Sequence, residues 1–435
     1  MKISRRAWLA GGAGVTAGFL GLRHALSAPA PGMSKRYGRL RAEPLGYLAL
    51  PEGFSCAAIS RAGETMDDGL RVPGHHDGMG AFPGPDGRTL LVRNHELEGR
   101  QAAVGPFGSG LEGLGKIPPS RLYDAGGGRY PGQGGTTTLV YDTRARRLER
   151  HFLSLAGTWR NCAGGPTPWN SWLSCEEDTR RASGLVERDH GYVFEVPASG
   201  TIGLADPIPL KAMGRFNHEA AAVEPVSGAV LLTEDRPDGL LYRFTPSVPG
   251  ELRKGGRLQA LALPGRPTTR GMRAGETAEV AWIDLDGVDA PNDDLRRRGA
   301  RAGAATFDRG EGIWTGADGI YFCATAGGAA RKGQVWRYRP ETLELFCEPG
   351  DADLLENCDN VTIAPWGDLF LCEDGPGWQR IVAVTPKGEL YTFAENVYNT
   401  CEVAGGCFSP DGTTFFFNIQ RPGVTLAVTG PWKSA

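Results

Sequence analysis

Beyond its first thirty positions the sequence lacks any run of about 18 apolar residues, so no later segment can cross a bilayer as a helix. It lacks a Cys-x-x-Cys pair, which removes a zinc ribbon from consideration. No Gly-x-Ser-x-Gly elbow, Walker phosphate loop, His-Glu-x-x-His helix or Rossmann glycine fingerprint stands in its required context, so serine-triad hydrolysis and nucleotide cofactors lose support. An excess of one charge is missing too: 47 Lys and Arg against 50 Asp and Glu give a formal net charge of -3, no field to hold nucleic acid. There is no Gly-X-Y period and no low-complexity tract.

What the chain does hold is glycine, 64 of 435 residues, roughly twice the usual share of about 7%. With 31 prolines spread along the chain, these residues read as turn punctuation between many short strands. Apolar residues at 40% suffice for a core. Six times a Pro/Gly/Asp/Asn turn leads into a short β-type run: Pro83 to Glu96, Thr167 to Asp178, Glu224 to Asp235, Trp314 to Thr325, Ala364 to Asp374 and Ser409 to Ile419. A second alternating run follows each, beginning at Thr137, Gly191, Gly239, Gly333, Arg380 and Val424. This predicts an all-β fold, a β-propeller of six blades, with a β-sandwich carrying inserts as the competing fold. Long inserted loops, Gly99 to Gly135 and Leu258 to Phe307, are expected to gather on one face and shape a site.

Ser4-Arg5-Arg6-Ala7-Trp8-Leu9 has the form of a twin-arginine export motif, followed by a weakly apolar stretch and small residues from Ala25 to Ala30. Residues 1–30 are therefore read as a signal peptide and residues 31–435 as one propeller domain. The expected partner is the twin-arginine export machinery, the expected location periplasmic or secreted, with no stable membrane anchor after cleavage. That route carries folded proteins and suits a chain loaded with metal beforehand. Nine cysteines are an odd number, so at least one is unpaired or a ligand in an exported chain. Cys401 with Cys407, and Cys347 with Cys358, are close enough in sequence for disulfides.

Acids follow the apolar runs at equivalent places: Asn94-His95-Glu96, Cys175-Glu176-Glu177, Glu234-Asp235 and Glu373-Asp374. If those runs are the innermost strands, their ends meet at the mouth of the central channel, where gathered carboxylates repel and need cations. Any one of them taken alone is an ordinary solvated turn residue; four at equivalent repeat positions suggest a site. Oxygen-rich rings suit calcium, and a thiolate among carboxylates suits iron. Phe216-Asn217-His218-Glu219, Arg309-Gly310-Glu311-Gly312 and Asp359-Asn360 could reach the same axis. His75-His76-Asp77 reads as turn structure, and His151 and His190 as surface residues. With other nucleophiles unsupported, a metal-held oxygen remains.

The segment from Asn161 to Trp169, running on through Trp172-Leu173-Ser174-Cys175-Glu176-Glu177, resembles the hallmark segment of PhoX-type alkaline phosphatases. GRFNHEAAAV from Gly214, FDRGEGIW from Phe307, DNVTIAPWG from Asp359 and the stretch from Phe408 to Trp432 also resemble that family. The resemblance implies a six-bladed propeller whose axial site holds iron and calcium and hydrolyses small-molecule phosphate esters. It implies Cys175 as the iron-ligand cysteine, with Glu96, Glu177, Glu219, Glu311, Asp359 and Glu373 in the metal shell and Glu176 as the alternative to Glu177; Glu234 is a further candidate from the pattern of acids after apolar runs. Arg236 and Arg309, beside those acids, are candidate grips on phosphate. Two other readings stay open: a calcium-dependent propeller hydrolase of phytase or lactonase type, and a non-catalytic propeller plugged by calcium.

Overall fold

Glycine and alanine crowd the strands that lie nearest the axis, and the reason is steric. The computed structural model describes residues 36–432, so the twin-arginine motif and the leader lie outside the described residues. Six antiparallel sheets stand in a ring, and their innermost strands are His76–Pro83, Asn161–Pro166, His218–Val223, Gly310–Gly316, Cys358–Ile363 and Val403–Phe408. Each of these strands lies against the next, and the sixth lies against the first. The molecule is a six-bladed β-propeller, not a sandwich. A Cβ on Gly78 would stand 2.5 Å from the Cα of Ala163, and one on Gly312 would stand 2.7 Å from the Cα of Asn360. Side chains of any size are excluded there.

The strongly alternating runs seen in the sequence are therefore the second strands of their blades, not the innermost ones. Arg88–His95, Ser171–Glu176, Val230–Glu234, Gly319–Ala324, Leu369–Glu373 and Thr414–Ile419 occupy that second place. Their apolar side chains fill the space between neighbouring blades, as Leu173, Phe216, Leu232 and Tyr242 do between blades two and three. Such packing needs large side chains at every other position, which is why these strands are legible and the inner ones are not.

The ring is closed by its two ends. Blade six takes three strands from the C-terminal part of the chain and its fourth, Ser55–Arg61, from the N-terminal part, paired along Val424–Thr429. Leu48–Pro51 and Leu40–Ala42 extend the outer edge of blade five. Phe54 and Trp432 meet edge to face at 4.7 Å and pin the two ends together. All nine cysteines are free thiols, so neither expected disulfide is formed. Of the two long insertions, the first places Gln101 in the lining of the channel mouth, beside Glu98, which directly precedes it. The second carries the helix Leu295–Arg301, which packs against Gly239–Pro246 of blade three, and sends Asp289 to the Tyr192 hydroxyl at 2.5 Å.

Candidate metal centre

Five of the six inner strands break register at the same place: between His76 and Met79, Asn161 and Gly164, His218 and Ala221, Gly310 and Ile313, and Cys358 and Val361. The first residue inside each break is Asp77, Cys162, Glu219, Glu311 or Asp359. A bulge re-aims a side chain out of the pleat, and these five gather around the axis. In blade six the break falls between Ala404 and Cys407, where Gly405 leaves no side chain and a Cβ would collide with the carbonyl of Asp77. Glu402 enters from just before that strand instead.

A second tier comes from the residues that follow the second strands: Glu96, Glu177, Asp235 and Asp374. Each is preceded by a residue that points the opposite way, as the two-residue period of a strand demands. This corrects three of the expected ligands. Glu176 turns into blade two, where it accepts hydrogen bonds from Trp159 N at 2.9 Å, Gly191 N at 2.9 Å and the His190 ring at 2.6 Å. Glu234 accepts from the Tyr242 hydroxyl at 2.7 Å, and Glu373 holds Arg380 through both oxygens at 2.7 Å. Their partners are local, and none of the three lines the basin.

Cys175 is corrected as well. It lies fully buried among Leu173, Val193, Met213 and Phe216, in the apolar layer between blades. The thiol of the basin is Cys162, whose sulfur lies with oxygens of Glu96 and Glu177 in a group no wider than 4.8 Å. Asp77, Glu96 and Glu402 form a second such group, Glu219, Glu311 and Asp359 a third, and Asp359, Asp374 and Glu402 a fourth. Glu96, Glu402 and Asp359 each belong to two groups, so the four positions are chained by shared carboxylates.

This donor set fits cations. Both carboxylate oxygens of Glu219 are buried with no hydrogen-bond partner among the described residues, a costly state for an acid left alone. Burial and then neighbouring carboxylates push Asp77, Glu177, Glu219, Glu311 and Glu402 well above the ordinary carboxylate range. Burial and Asp374 raise Asp359 to about 7. Burial and the surrounding acids likewise push up the Cys162 thiol. Bound cations reverse each of these penalties.

Two arginines brace the acids. Arg160 donates to Glu96 Oε1 at 2.9 and 2.6 Å and to Glu177 Oε2 at 2.6 Å. Arg309 grips Asp235 through Nε and Nη2 at 2.7 and 2.8 Å and reaches Glu311 at 2.7 Å. Neither Nη1 is hydrogen-bonded to a described residue. Arg236 is a different case: its side chain faces Asp293 at 3.7 Å and does not line the basin. Sequence reasoning does not select Asp77, Cys162, Glu402 or Arg160, and from the pairs Glu234-Asp235 and Glu373-Asp374 it selects the first acid rather than the second. The available signal was an acid or cysteine standing immediately before a small-residue run, as in HDGMG, NCAGG, HEAAA and GEG.

The histidines also differ from expectation. His151 is buried, and His190 is fully buried between Glu176 and Asp124, at 2.6 and 3.2 Å. Burial alone would lower the His190 pKa, but the two carboxylates outweigh it and hold it at about 9. The charged imidazolium therefore stabilises the fold fully below about pH 6.5, and that contribution disappears as pH rises through about 9. Urea unfolding across this window should show a loss of about 3 kcal/mol from this group. His190→Gln should flatten that part of the profile; an unchanged slope would show that the site titrates neutral.

Fold and basin define a class: a propeller with an axial carboxylate and thiolate site built for cations. The alkaline phosphatase PhoX family matches the sequence over residues 35–140 and 135–423, and the chain belongs to that family of metal-dependent phosphatases. Its structure is similar to that of Pseudomonas fluorescens PhoX in complex with vanadate, a transition-state analogue, at 18% identity, covering 90% of this chain and 97% of that one with a TM-score of 0.67. A gluconolactonase of Xanthomonas campestris is similar at 11% identity over 87% of this chain and 98% of that one, with a TM-score of 0.43. A luciferin-regenerating enzyme is similar at 9% identity, covering 87% and 96%, with a TM-score of 0.44. No curated protein matches the sequence.

Proposed function

We propose that this phosphatase hydrolyses phosphate monoesters in the axial basin, with iron at the Glu96–Cys162–Glu177 group and calcium at the three all-oxygen groups. The observation that carries the reading is the buried, unpartnered Glu219 carboxylate inside a chain of shared acids. When bound, the cations supply Lewis acidity toward phosphoryl oxygens and lower the pKa of the water they hold. Cys162 favours a transition metal in one position, since a phytase- or lactonase-type calcium site has no use for a thiolate. The expected twin-arginine leader would deliver the folded, loaded enzyme to the periplasm or beyond.

The residues of the chain supply position and charge. Arg309 is fixed by Asp235 and Glu311, so its remaining Nη1 donors are held in one orientation with little entropy left to lose. Arg160 is fixed in the same way by Glu96 and Glu177. Both offer charge-assisted hydrogen bonds to the non-bridging oxygens of a phosphoryl group. The basin encloses about 400 Å³, room for the phosphoryl group and part of its leaving group.

Arg309→Ala should lower kcat/KM by roughly two to three orders of magnitude, the scale for removing one preorganised charge donor. Arg236→Ala, outside the basin, should stay within a few-fold of the parent. Equal losses in the two variants would remove Arg309 from the phosphate-binding role. The test of the whole reading is elemental analysis paired with hydrolysis of p-nitrophenyl phosphate. Iron-free protein with full activity would overturn the iron assignment, and metal-loaded protein without turnover would overturn the monoesterase.

A further inference from the structure

Three arginines line the basin, on alternate blades: Arg160 ahead of blade two, Arg309 ahead of blade four and Arg421 after the second strand of blade six. Two of them are bound to acids, as described above. The third is not: the Arg421 side chain is exposed and makes no ion pair or hydrogen bond to a described residue. Its backbone, by contrast, is anchored. Asn399 Nδ2 donates to the Arg421 carbonyl at 2.8 Å. The preceding Gln420 donates to Asp77 Oδ2 at 3.0 Å and to Glu96 Oε2 at 2.9 Å. An exposed guanidinium on a pinned backbone thus lines the basin, near enough to His75 to act on its charge, and His75 in turn meets Gln101 at 3.4 Å.

Arg160 and Arg309 sit deeper, against the grouped acids, and serve the phosphoryl end. Glu98, the acid of the rim, is already held by Arg100 at 2.9 Å and leaves Arg421 without a partner there. The basin has room for part of a leaving group as well as the phosphoryl group, and among the three arginines that line it Arg421 is the one not bound to an acid of the described residues. We propose that Arg421 is a specificity residue that binds a second anionic group on the leaving group, so that the preferred substrates are phosphate monoesters bearing a carboxylate or a further phosphate. This rests on reading the basin as a phosphoester site. A planar guanidinium pairs with either anion through two parallel hydrogen bonds.

The test uses two phosphonates of equal length, whose carbon–phosphorus bond the enzyme leaves intact: 2-carboxyethylphosphonate and propylphosphonate. Calorimetry on metal-loaded protein should show the carboxylated compound binding roughly tenfold more tightly, the scale of one partly solvated charge-assisted hydrogen bond. Arg421→Ala should erase that preference while leaving propylphosphonate within about twofold, and Arg421→Lys should restore part of it. Kinetics should agree: in Arg421→Ala, KM rises for an ester with a charged leaving group, and kcat and KM for p-nitrophenyl phosphate stay near the parent. No preference in the parent, or equal weakening of both phosphonates by Arg421→Ala, overturns the assignment; equal weakening would place Arg421 on the phosphoryl group. A parent that binds both phosphonates but hydrolyses no ester fails the monoesterase reading alone, since the binding comparison still decides the role of Arg421.

Discussion

Cys162→Ser is expected to reduce phosphatase activity by at least about two orders of magnitude, and Cys175→Ser to leave turnover near the parent. The two residues lie on adjacent strands of one blade, yet their surroundings differ in kind. Cys162 is grouped with Glu96 and Glu177, whereas Cys175 is packed in an apolar layer. A serine hydroxyl stays protonated near neutral pH and is a hard, weak ligand for iron, so Cys162→Ser removes the soft donor and with it one cation's charge. At Cys175 the same change buries a hydroxyl among apolar side chains, a cost of about 1–3 kcal/mol in stability with no bearing on the metals. Elemental analysis and the visible absorption of a thiolate-to-iron band report on the first effect, thermal melting on the second. If Cys162→Ser keeps both its iron and its turnover, the thiolate has no part in the site.

Glu219→Gln should act with opposite signs in the metal-free and metal-loaded protein. Without cations, Glu219 is crowded by Glu311 and Asp359 and has no hydrogen-bond donor. An acid whose pKa is raised by folding weakens the fold at every pH above its ordinary value. Glutamine removes that charge and brings two donors to the neighbouring carboxylates, so the metal-free variant should be more stable than the metal-free parent by about 1–3 kcal/mol. With cations present the order reverses, because the variant has lost a ligand and gains less from binding. Activity should fall by about a hundredfold or more. Melting curves of both proteins, with and without chelator, give all four values. A metal-free variant that melts below the metal-free parent, or a parent indifferent to chelation, would remove Glu219 from a shared cation site.

The ring of six blades was legible because turns recur before strong apolar alternations, and those alternations are dictated by packing between blades. The site was half legible for a related reason. Glu96, Glu177, Glu219, Glu311, Asp359 and Arg309 were named, and the structure brings them together in the basin. Glu176, Glu234 and Glu373 were named in error because runs of two acids hide which member faces the axis; a shift of one residue reverses a side chain. Cys175 comes from the family resemblance, whose matching segment also contains Cys162, and the innermost strand that carries Cys162 is too rich in glycine and alanine to look like a strand. Crowding at the axis strips such strands of the apolar signal that sequence reading relies on, while their bulges carry the ligands. Asp77 and Glu402 also depend on contacts between blades one and six, which no local pattern reports.

The pairing of Ser55–Arg61 with Val424–Thr429 sets a timetable for assembly. Ser55–Arg61 must wait, unpartnered on that edge, until the strands of blade six have been made. Asp77 and Glu96 belong to blade one and Glu402 to the start of blade six, so their cation position does not exist on a nascent chain of five finished blades. Cation capture there consequently follows closure of the ring, and the compartment in which closure occurs fixes which ions are on offer when the lock is first made.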